Sequence, residues 1–269
     1  MPAMSFASRP LMLALSLALA LTLAGCAATV EEQVELPVDQ LYNTALDEVI
    51  YGDITIAAPL FDEVERQHPY SDWAVRSQLL SAWSLYASNQ YAPAIAAFDR
   101  FIELNPAHIY TDYAFYMKAQ SYYEQIIDVE RDASITRQAK EAFEALLNRF
   151  PNSRYARDSR LKLDLTLSHL AGKEMAVGRF YLKAGHFNAG LRRFEIVIND
   201  YQTSNQVPEA LYRMVEGYLG LGLVGEAERT GAVLQYNYPY SIWTSRMRRL
   251  IDVPLAEAAA AEAEATQTQ

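Results

Sequence analysis

Small, aromatic and proline residues recur along the chain in a fixed order that is repeated five times. In the first copy, Ala57 is followed four residues later by Phe61 and, eight residues after that, by Pro69. The second and third copies are Ala94, Phe98, Pro106 and Ala139, Phe143, Pro151. The fourth is Gly190, Phe194, Gln202, with Gln202 in place of the proline, and the fifth is Ala227, Gly231, Pro239, without the phenylalanine. Three residues before each small residue stand Ile54, Tyr91, Thr136, Phe187 and Val224. Such internal repetition predicts a repeat protein.

The spacing within each copy predicts a helix that ends at the proline. Offsets of three and four residues place the three side chains on one helical face. The small residue allows a neighbouring helix to approach, and the proline cannot continue the helix. The stretches 72–88 and 109–124 have helical periodicity of their own, so each unit is a helix-turn-helix. This pattern resembles the tetratricopeptide consensus. We expect an all-α tetratricopeptide-repeat solenoid of about five units over residues 38–250.

Two segments depart from the regular repeat. Residues 155–184 contain no strong helix breaker except Gly172 and Gly178, which predicts one long helix or two nearly continuous ones. Residues 124–135 are charged and are predicted to form an exposed loop between paired helices. The tail 251–269 is rich in Ala and Glu, a composition typical of low-complexity sequence.

The chain begins with an apolar run from Leu11 to Ala20 and continues to Leu23-Ala24-Gly25-Cys26. A short apolar region followed by small residues is typical of a secretory signal peptide. The last four residues resemble the bacterial lipobox, so we expect cleavage of residues 1–25, lipidation of Cys26 and a tether over 26–37. The alternative is an uncleaved membrane anchor, for which the run is short. The residue after the cysteine is Ala27 and not an aspartate. The resemblance to bacterial lipoproteins then implies that the protein is transferred to the outer membrane and faces the periplasm.

Charge and cysteine content narrow the classes of function. The net charge is −10, which does not suit nonspecific nucleic-acid binding. Cys26 is the single cysteine, so the sequence offers neither a disulfide framework nor a thiolate metal site.

The sequence offers no catalytic constellation. Gly220, Gly222 and Gly225 satisfy G-x-G-x-x-G, but a dinucleotide site needs a preceding strand, and here the context is helical. The four histidines have no paired metal-ligand spacing, and His68 and His108 beside repeat prolines are interpreted as turn or cap residues. We therefore predict a protein that is not an enzyme and takes no cofactor or metal.

One segment is more specific than a generic repeat. It reads Arg100-Phe-Ile-Glu-Leu-Asn-Pro-Ala-His-Ile-Tyr-Thr-Asp-Tyr-Ala-Phe-Tyr-Met117. It resembles a second-repeat signature of the BamD/ComL family of lipoproteins, which belong to the outer-membrane β-barrel assembly (BAM) machine. Segments 149–156, 174–185 and 208–218 resemble further motifs of that family. The chain departs from the family at Ile109, where proline is usual, at Gln202, and in the helix 192–200.

The resemblance implies a scaffold lipid-anchored in the outer membrane and facing the periplasm. Its N-terminal repeats are expected to bind unfolded outer-membrane protein clients, and its C-terminal repeats to dock on a POTRA domain of the central β-barrel assembly protein. Other BAM lipoproteins are expected partners. Candidate client-binding residues are Asn105, His108, Tyr110, Asp112, Tyr113 and Tyr116, although Tyr113 with Met117 also fits a core position. Candidate docking residues are Arg192, Arg193, Arg246, Arg248 and Arg249, for which a solvated surface role is the alternative.

Two other classes of function remain open from the residues alone. The second hypothesis is a periplasmic adaptor that regulates cell-wall synthesis or division, since such an adaptor can be built on the same repeats. A cell-wall hydrolase is a third hypothesis, although the sequence offers no residues to carry that reaction.

Overall fold

A computed structural model of the protein describes residues 35–126 and 133–251. The chain divides after Pro37 into two units, and the architecture below belongs to the second, which begins at Val38. The expected signal peptide 1–25, Cys26, and all of the tail beyond Ile251 lie outside the described residues.

Every regular element in the described part of the chain is a helix, in agreement with the all-α prediction. The ten principal helices are α1 (Val38–Ile50), α2 (Ile54–Gln67), α3 (Asp72–Ala87), α4 (Tyr91–Leu104), α5 (Thr111–Tyr123), α6 (Ser134–Arg149), α7 (Ala156–Lys183), α8 (Phe187–Asp200), α9 (Val207–Gly220) and α10 (Val224–Asn237). Residues 242–251 are also helical. Each helix packs mainly against the helices before and after it, and α1/α3, α3/α5, α5/α7 and α7/α9 also touch. The result is a stack of five helix pairs, as expected of a tetratricopeptide repeat.

The repeated small and aromatic residues form the core of the stack. All five small residues of the repeat and all four phenylalanines are fully buried, namely Ala57, Ala94, Ala139, Gly190, Ala227, Phe61, Phe98, Phe143 and Phe194. In the fifth unit, Gly231 replaces phenylalanine, and Met247 and Ile251 from the helical residues 242–251 fill the space beside it. The predicted register is therefore confirmed.

The second helix of every pair ends in the same way. The capping residues His68, Asn105, Phe150, Tyr201 and Tyr238 share φ near −130° and ψ near +55°. A following proline excludes the helical conformation at the residue before it, which explains four of these ends. Tyr201 adopts the same conformation before Gln202, so in the fourth unit α8 ends at Asp200 without a following proline.

The turn inside several pairs depends on a residue with positive φ. Asn89, Gly185 and Gly222 have φ between 61° and 79°, and each stands two residues before the second helix of its pair. Glycine adopts this conformation without strain, and asparagine tolerates it better than most residues. The G-x-G-x-x-G segment thus spans the α9–α10 turn, with a helix and not a strand before it, as the sequence predicts.

The middle of the array contains the long helix that was predicted. Between the two alternatives for residues 155–184, the structure has one continuous helix, α7, of 28 residues. Before it, α5 ends at Tyr123 and α6 begins at Ser134, so residues 124–126 lie between the helices as predicted, whereas residues 134–135 belong to α6 and Ala133 is buried. Residues 127–132 of the predicted loop lie outside the described part.

Candidate functional site

The turn between α4 and α5 contains three of the candidate client-binding residues. The side-chain amide of Asn105 donates hydrogen bonds to Gln78 Oε1 at 2.9 Å and to the Phe101 carbonyl at 3.2 Å. The Nδ1 atom of His108 accepts a hydrogen bond from the Tyr110 backbone at 3.3 Å, and its ring packs edge-on against Phe101. Asn105 and His108 therefore hold the turn, as the turn-or-cap interpretation of His108 expects, while Tyr110 remains exposed.

The other three candidates join α5 to the start of α7 and to the turn before it. Asp112 accepts a hydrogen bond from the Ser153 hydroxyl at 2.6 Å. The rings of Tyr116 and Tyr155 are stacked 4.8 Å apart, and the Tyr113 ring lies 5.4 Å from that of Tyr155. Tyr113 packs against the buried Met117 cluster, so the core alternative noted for this pair applies at least to Met117.

A charged pair is attached to this aromatic stack. The Tyr116 hydroxyl donates to Asp158 at 2.8 Å and accepts from the Lys162 ammonium at 2.8 Å, and Lys162 and Asp158 form an ion pair at 2.7 Å.

Burial raises the pKa of Tyr113 to about 12, with the nearby Tyr155 adding to the effect. Tyr113 is therefore a neutral phenol at physiological pH.

An apolar cleft lies beside the turn. It has a volume of about 480 Å³ and is lined by Tyr42, Val75, Arg76, Leu79, Leu80, His108, Ile109 and Tyr110. We call this the N-terminal cleft. Ile109 is 77% exposed and Tyr110 is 44% exposed. Only two of the six candidate residues, His108 and Tyr110, line it.

Sequence reasoning missed the helix residues of the N-terminal cleft. Tyr42 of α1 lies edge-on to Trp73 with the ring centroids 4.6 Å apart, and Arg76 lies over the Trp73 ring at 5.7 Å. Trp73 stands four residues after the first repeat proline, as Tyr110, Tyr155 and Trp243 do after theirs. The sequence shows this equivalence, but among these four aromatic residues Tyr110 alone is a predicted client-binding residue.

The candidate docking arginines fall on two elements. Arg192 and Arg193 lie on α8, beside a shallow cleft of about 600 Å³ with Tyr181 and Ile196, and Arg193 pairs with Glu174 at 2.9 Å. Arg246, Arg248 and Arg249 are exposed on residues 242–251. The guanidinium of Arg246 lies 4.6 Å above the Trp243 ring, a cation–π contact.

A second cleft in the C-terminal half was not foreseen from the sequence. It has a volume of about 510 Å³ and is lined by Arg179, Leu182, Lys183, Phe187, Arg213, Glu216, Leu219 and Leu250. We call this the C-terminal cleft. The sequence signal for it is weak, because Arg213 is spaced from Glu209 and Glu216 as in ordinary helical ion pairs.

The described residues contain no cluster of three or more histidine, cysteine or acidic side chains that could hold a metal ion. Within the same part of the chain, no helix is both long enough and apolar enough to cross a membrane. The arrangement offers apolar clefts that are bordered by cations, with Arg76 at the N-terminal cleft and Arg179, Lys183 and Arg213 at the C-terminal cleft.

Comparison with known proteins gives the family. Residues 34–234 match the YfiO family model, described as outer membrane lipoprotein. An outer membrane protein assembly factor BamD from Caulobacter vibrioides is 46% identical, with the match covering 92% of this chain and 82% of that one. Proteins of the same name from Rickettsia prowazekii and Neisseria meningitidis serogroup B are 43% and 33% identical, over 87% and 91% of this chain and 94% and 97% of theirs. The stacked repeats, the match over most of the chain and the level of identity together show that this protein belongs to the BamD family of outer membrane lipoproteins.

Proposed function

We propose that the protein is a non-catalytic scaffold of the BAM complex, which aids folding and insertion of β-barrel proteins into the outer membrane. The observation that carries this proposal is the similarity to proteins named outer membrane protein assembly factor BamD over about nine-tenths of the chain. A stack of helix pairs supports it physically, because such arrays offer long binding surfaces without a catalytic centre.

The N-terminal cleft is the proposed binding site for unfolded β-barrel clients. Its wall of Val75, Leu79 and Leu80 is apolar, and the exposed Ile109 and Tyr110 stand at its edge. Unfolded barrel precursors expose alternating apolar side chains that such a cleft can bury. Among the candidate residues, Tyr110 is assigned direct contact, and Asn105, Asp112 and Tyr116 are assigned to holding the surface in place, since their polar atoms are bonded within the protein.

The exposed arginines of the C-terminal half are the proposed docking site for a POTRA domain of the central assembly protein. Arg192 on α8 and Arg248 and Arg249 on residues 242–251 have exposed side chains. Arginine forms bidentate bonds with carboxylates and is enriched in protein interfaces, which supports the assignment. Arg193 is the weaker candidate, because it pairs with Glu174 of α7.

Lipidation of Cys26 is the proposed means of attachment to the outer membrane, with the repeat domain in the periplasm. The match to an outer membrane lipoprotein family supports this anchor, as does the Leu23-Ala24-Gly25-Cys26 motif. More than one acyl chain is needed for stable anchoring, which the modification of a lipobox cysteine supplies.

Affinity purification tests the scaffold role. The full chain with a C-terminal tag is extracted from envelopes in mild detergent, and a barrel protein with POTRA domains is expected to co-purify. A variant with Arg248→Glu and Arg249→Glu is expected to recover less of it, while the matched pair Arg157→Glu and Arg160→Glu on the exposed surface of α7 is not. Recovery of cell-wall synthesis enzymes in place of the barrel protein would contradict the proposal and favour the adaptor.

A further inference from the structure

The C-terminal cleft combines an apolar floor with unequal charge. Leu182, Phe187, Leu219 and Leu250 form its apolar part, and three cations but only one acid line it. Its volume of about 510 Å³ lies in the range of clefts that bind small ligands or a few side chains of a peptide. The cleft therefore suits a short segment that carries both apolar and acidic residues.

The cations of the cleft are partnered to different degrees. Arg179 and Arg213 both contact Glu209, at 3.3 Å and 3.2 Å, and Arg213 also pairs with Glu216 at 2.8 Å. Lys183 is exposed at the end of α7, and no ion pair joins it to an acid among the described residues. Lys183 is thus the cation with its charge available to a ligand.

The chain itself continues from the wall of this cleft. Leu250 lines it, and the following sequence is Ile251-Asp252-Val253-Pro254-Leu255-Ala256-Glu257. Residues 252–269 contain Asp252, Glu257, Glu262 and Glu264 and no lysine or arginine. The tail therefore has the charge opposite to that of the cleft.

The geometry at the end of the described helix brings the tail within reach. Ile251 and Met247 pack against Gly231 of α10, which holds the last turn in place. An extended chain covers ~3.3 Å per residue, so the chain length between Leu250 and Leu255 or Glu257 allows a span of at most about 15–25 Å.

We propose that residues 252–257 dock in the C-terminal cleft of their own chain. Leu255 enters the apolar part beside Leu182 and Leu219, and Glu257 pairs with Lys183. The cleft is then a receptor for an acidic segment with an apolar anchor, and the tail occupies it in cis. If the docking role proposed above also holds, a partner that uses this face must first displace the tail.

Photo-crosslinking of the purified full chain tests this docking. A photoreactive phenylalanine analogue replaces Leu255, and the cross-linked peptides are identified by mass spectrometry. Cross-links within one chain to the end of α7 or to α9 are expected. The matched control carries the same analogue at Thr266, beyond the docked residues, and is expected to give little cross-linking to the cleft.

Charge exchange tests the ion pair. Lys183→Glu is expected to lower the cross-linking yield about threefold, the size expected of one exposed ion pair. Adding Glu257→Lys to that variant is expected to restore the yield. A yield unaffected by Lys183→Glu, cross-links that join two chains, or equal cross-linking from Thr266 would overturn the proposal. None of these readouts depends on binding to an assembly partner, so failure of this inference is distinguishable from failure of the scaffold role.

Discussion

Gly178 of α7 lies directly against the ring of Phe194 of α8. A Cβ atom at Gly178 would stand 2.4 Å from Phe194 Cε1, closer than real carbon contacts allow. On the same face, Gly190 of α8 lies near the backbone of α7, where a Cβ would be 3.2 Å from the Gly178 carbonyl oxygen. The two helices pack this closely because both lack side chains at the contact.

Gly178→Ala is therefore expected to destabilise the protein. Overpacking of a buried site costs roughly 1–3 kcal/mol, which outweighs the gain of up to ~1 kcal/mol that alanine offers within a helix. Chemical denaturation monitored by circular dichroism measures the change. Gly225→Ala in the first turn of α10 is the matched control, since the nearest atom to its Cβ is 3.9 Å away. Equal stability of the two variants would contradict the packing described here.

Phe98→Ala tests the repeat register. Phe98 is fully buried in the cluster formed by α3, α4 and α5, so its loss should cost roughly 3–5 kcal/mol through cavity formation. Phe180→Ala is the control, because Phe180 is 68% exposed and its replacement leaves no internal cavity. An unchanged denaturation midpoint for Phe98→Ala would mean that the helix face is wrongly assigned.

The Tyr116–Asp158–Lys162 group predicts a dependence of stability on pH. Burial alone would raise the pKa of Asp158, but hydrogen bonds from Lys162 and Tyr116 outweigh it and lower the pKa below its ordinary 3.8. The stabilisation is thus fully present above pH 3.8 and is lost as the pH falls through the lower pKa of the folded state. The free energies of unfolding of the parent and Asp158→Asn should converge in acid and differ at neutral pH. A difference that is constant over this range would exclude the linkage.

Lys162 predicts a loss of stability at alkaline pH. Burial alone would lower its pKa, but hydrogen bonds with Asp158 and Tyr116 outweigh burial and raise the pKa above 10.5. Its contribution is present below pH 10.5 and is lost as the pH rises through the folded-state pKa. Lys162→Met should therefore remove an alkaline decline in stability that the parent protein has. A decline of the same size in the variant would exclude this linkage.

Ile109→Asp separates client binding from structural support. Ile109 is largely exposed at the edge of the N-terminal cleft, so a charge there should weaken binding of an unfolded barrel-protein peptide without lowering stability. We expect a loss of about tenfold or more in affinity, as for a residue that contributes ~1–3 kcal/mol at an interface. Fluorescence anisotropy with a labelled peptide measures it.

Asn105→Ala is the comparison for that experiment. Its side chain bonds to Gln78 and to the Phe101 carbonyl, so the variant should lose about 1 kcal/mol of stability. If Ile109→Asp left peptide affinity unchanged, the N-terminal cleft would not be the client site.

Cys26→Ala is expected to abolish fatty-acid labelling and release the protein from outer-membrane fractions. Metabolic labelling with a palmitate analogue and density fractionation measure both effects. The chain has no other cysteine, so no second thiol can take the lipid. Full labelling of the variant would exclude Cys26 as the lipid site.

The sequence alone determined the helices, their pairing and the buried face of each repeat. The repeat pattern reflects local geometry, because helical period and proline stereochemistry act within a few residues. The pattern is a small residue, a phenylalanine four positions later and a proline eight positions after that. Phe61, Phe98, Phe143 and Phe194 are accordingly all buried. The lipobox is likewise a local signal, and lipidation of Cys26 stays a prediction that rests on four consecutive residues.

Only the tertiary structure decided which candidate residues are accessible. Asn105 and Asp112 looked available in the sequence, yet their polar atoms bond to Gln78 on α3 and to Ser153 before α7. The clefts could not be predicted for the same reason, since Tyr42 and Ile109 line one cleft, and Leu182 and Leu250 another, only when distant helices stack. Helical propensity and periodicity depend on neighbours along the chain, whereas exposure and cleft formation depend on which faces of separate repeats come together in space.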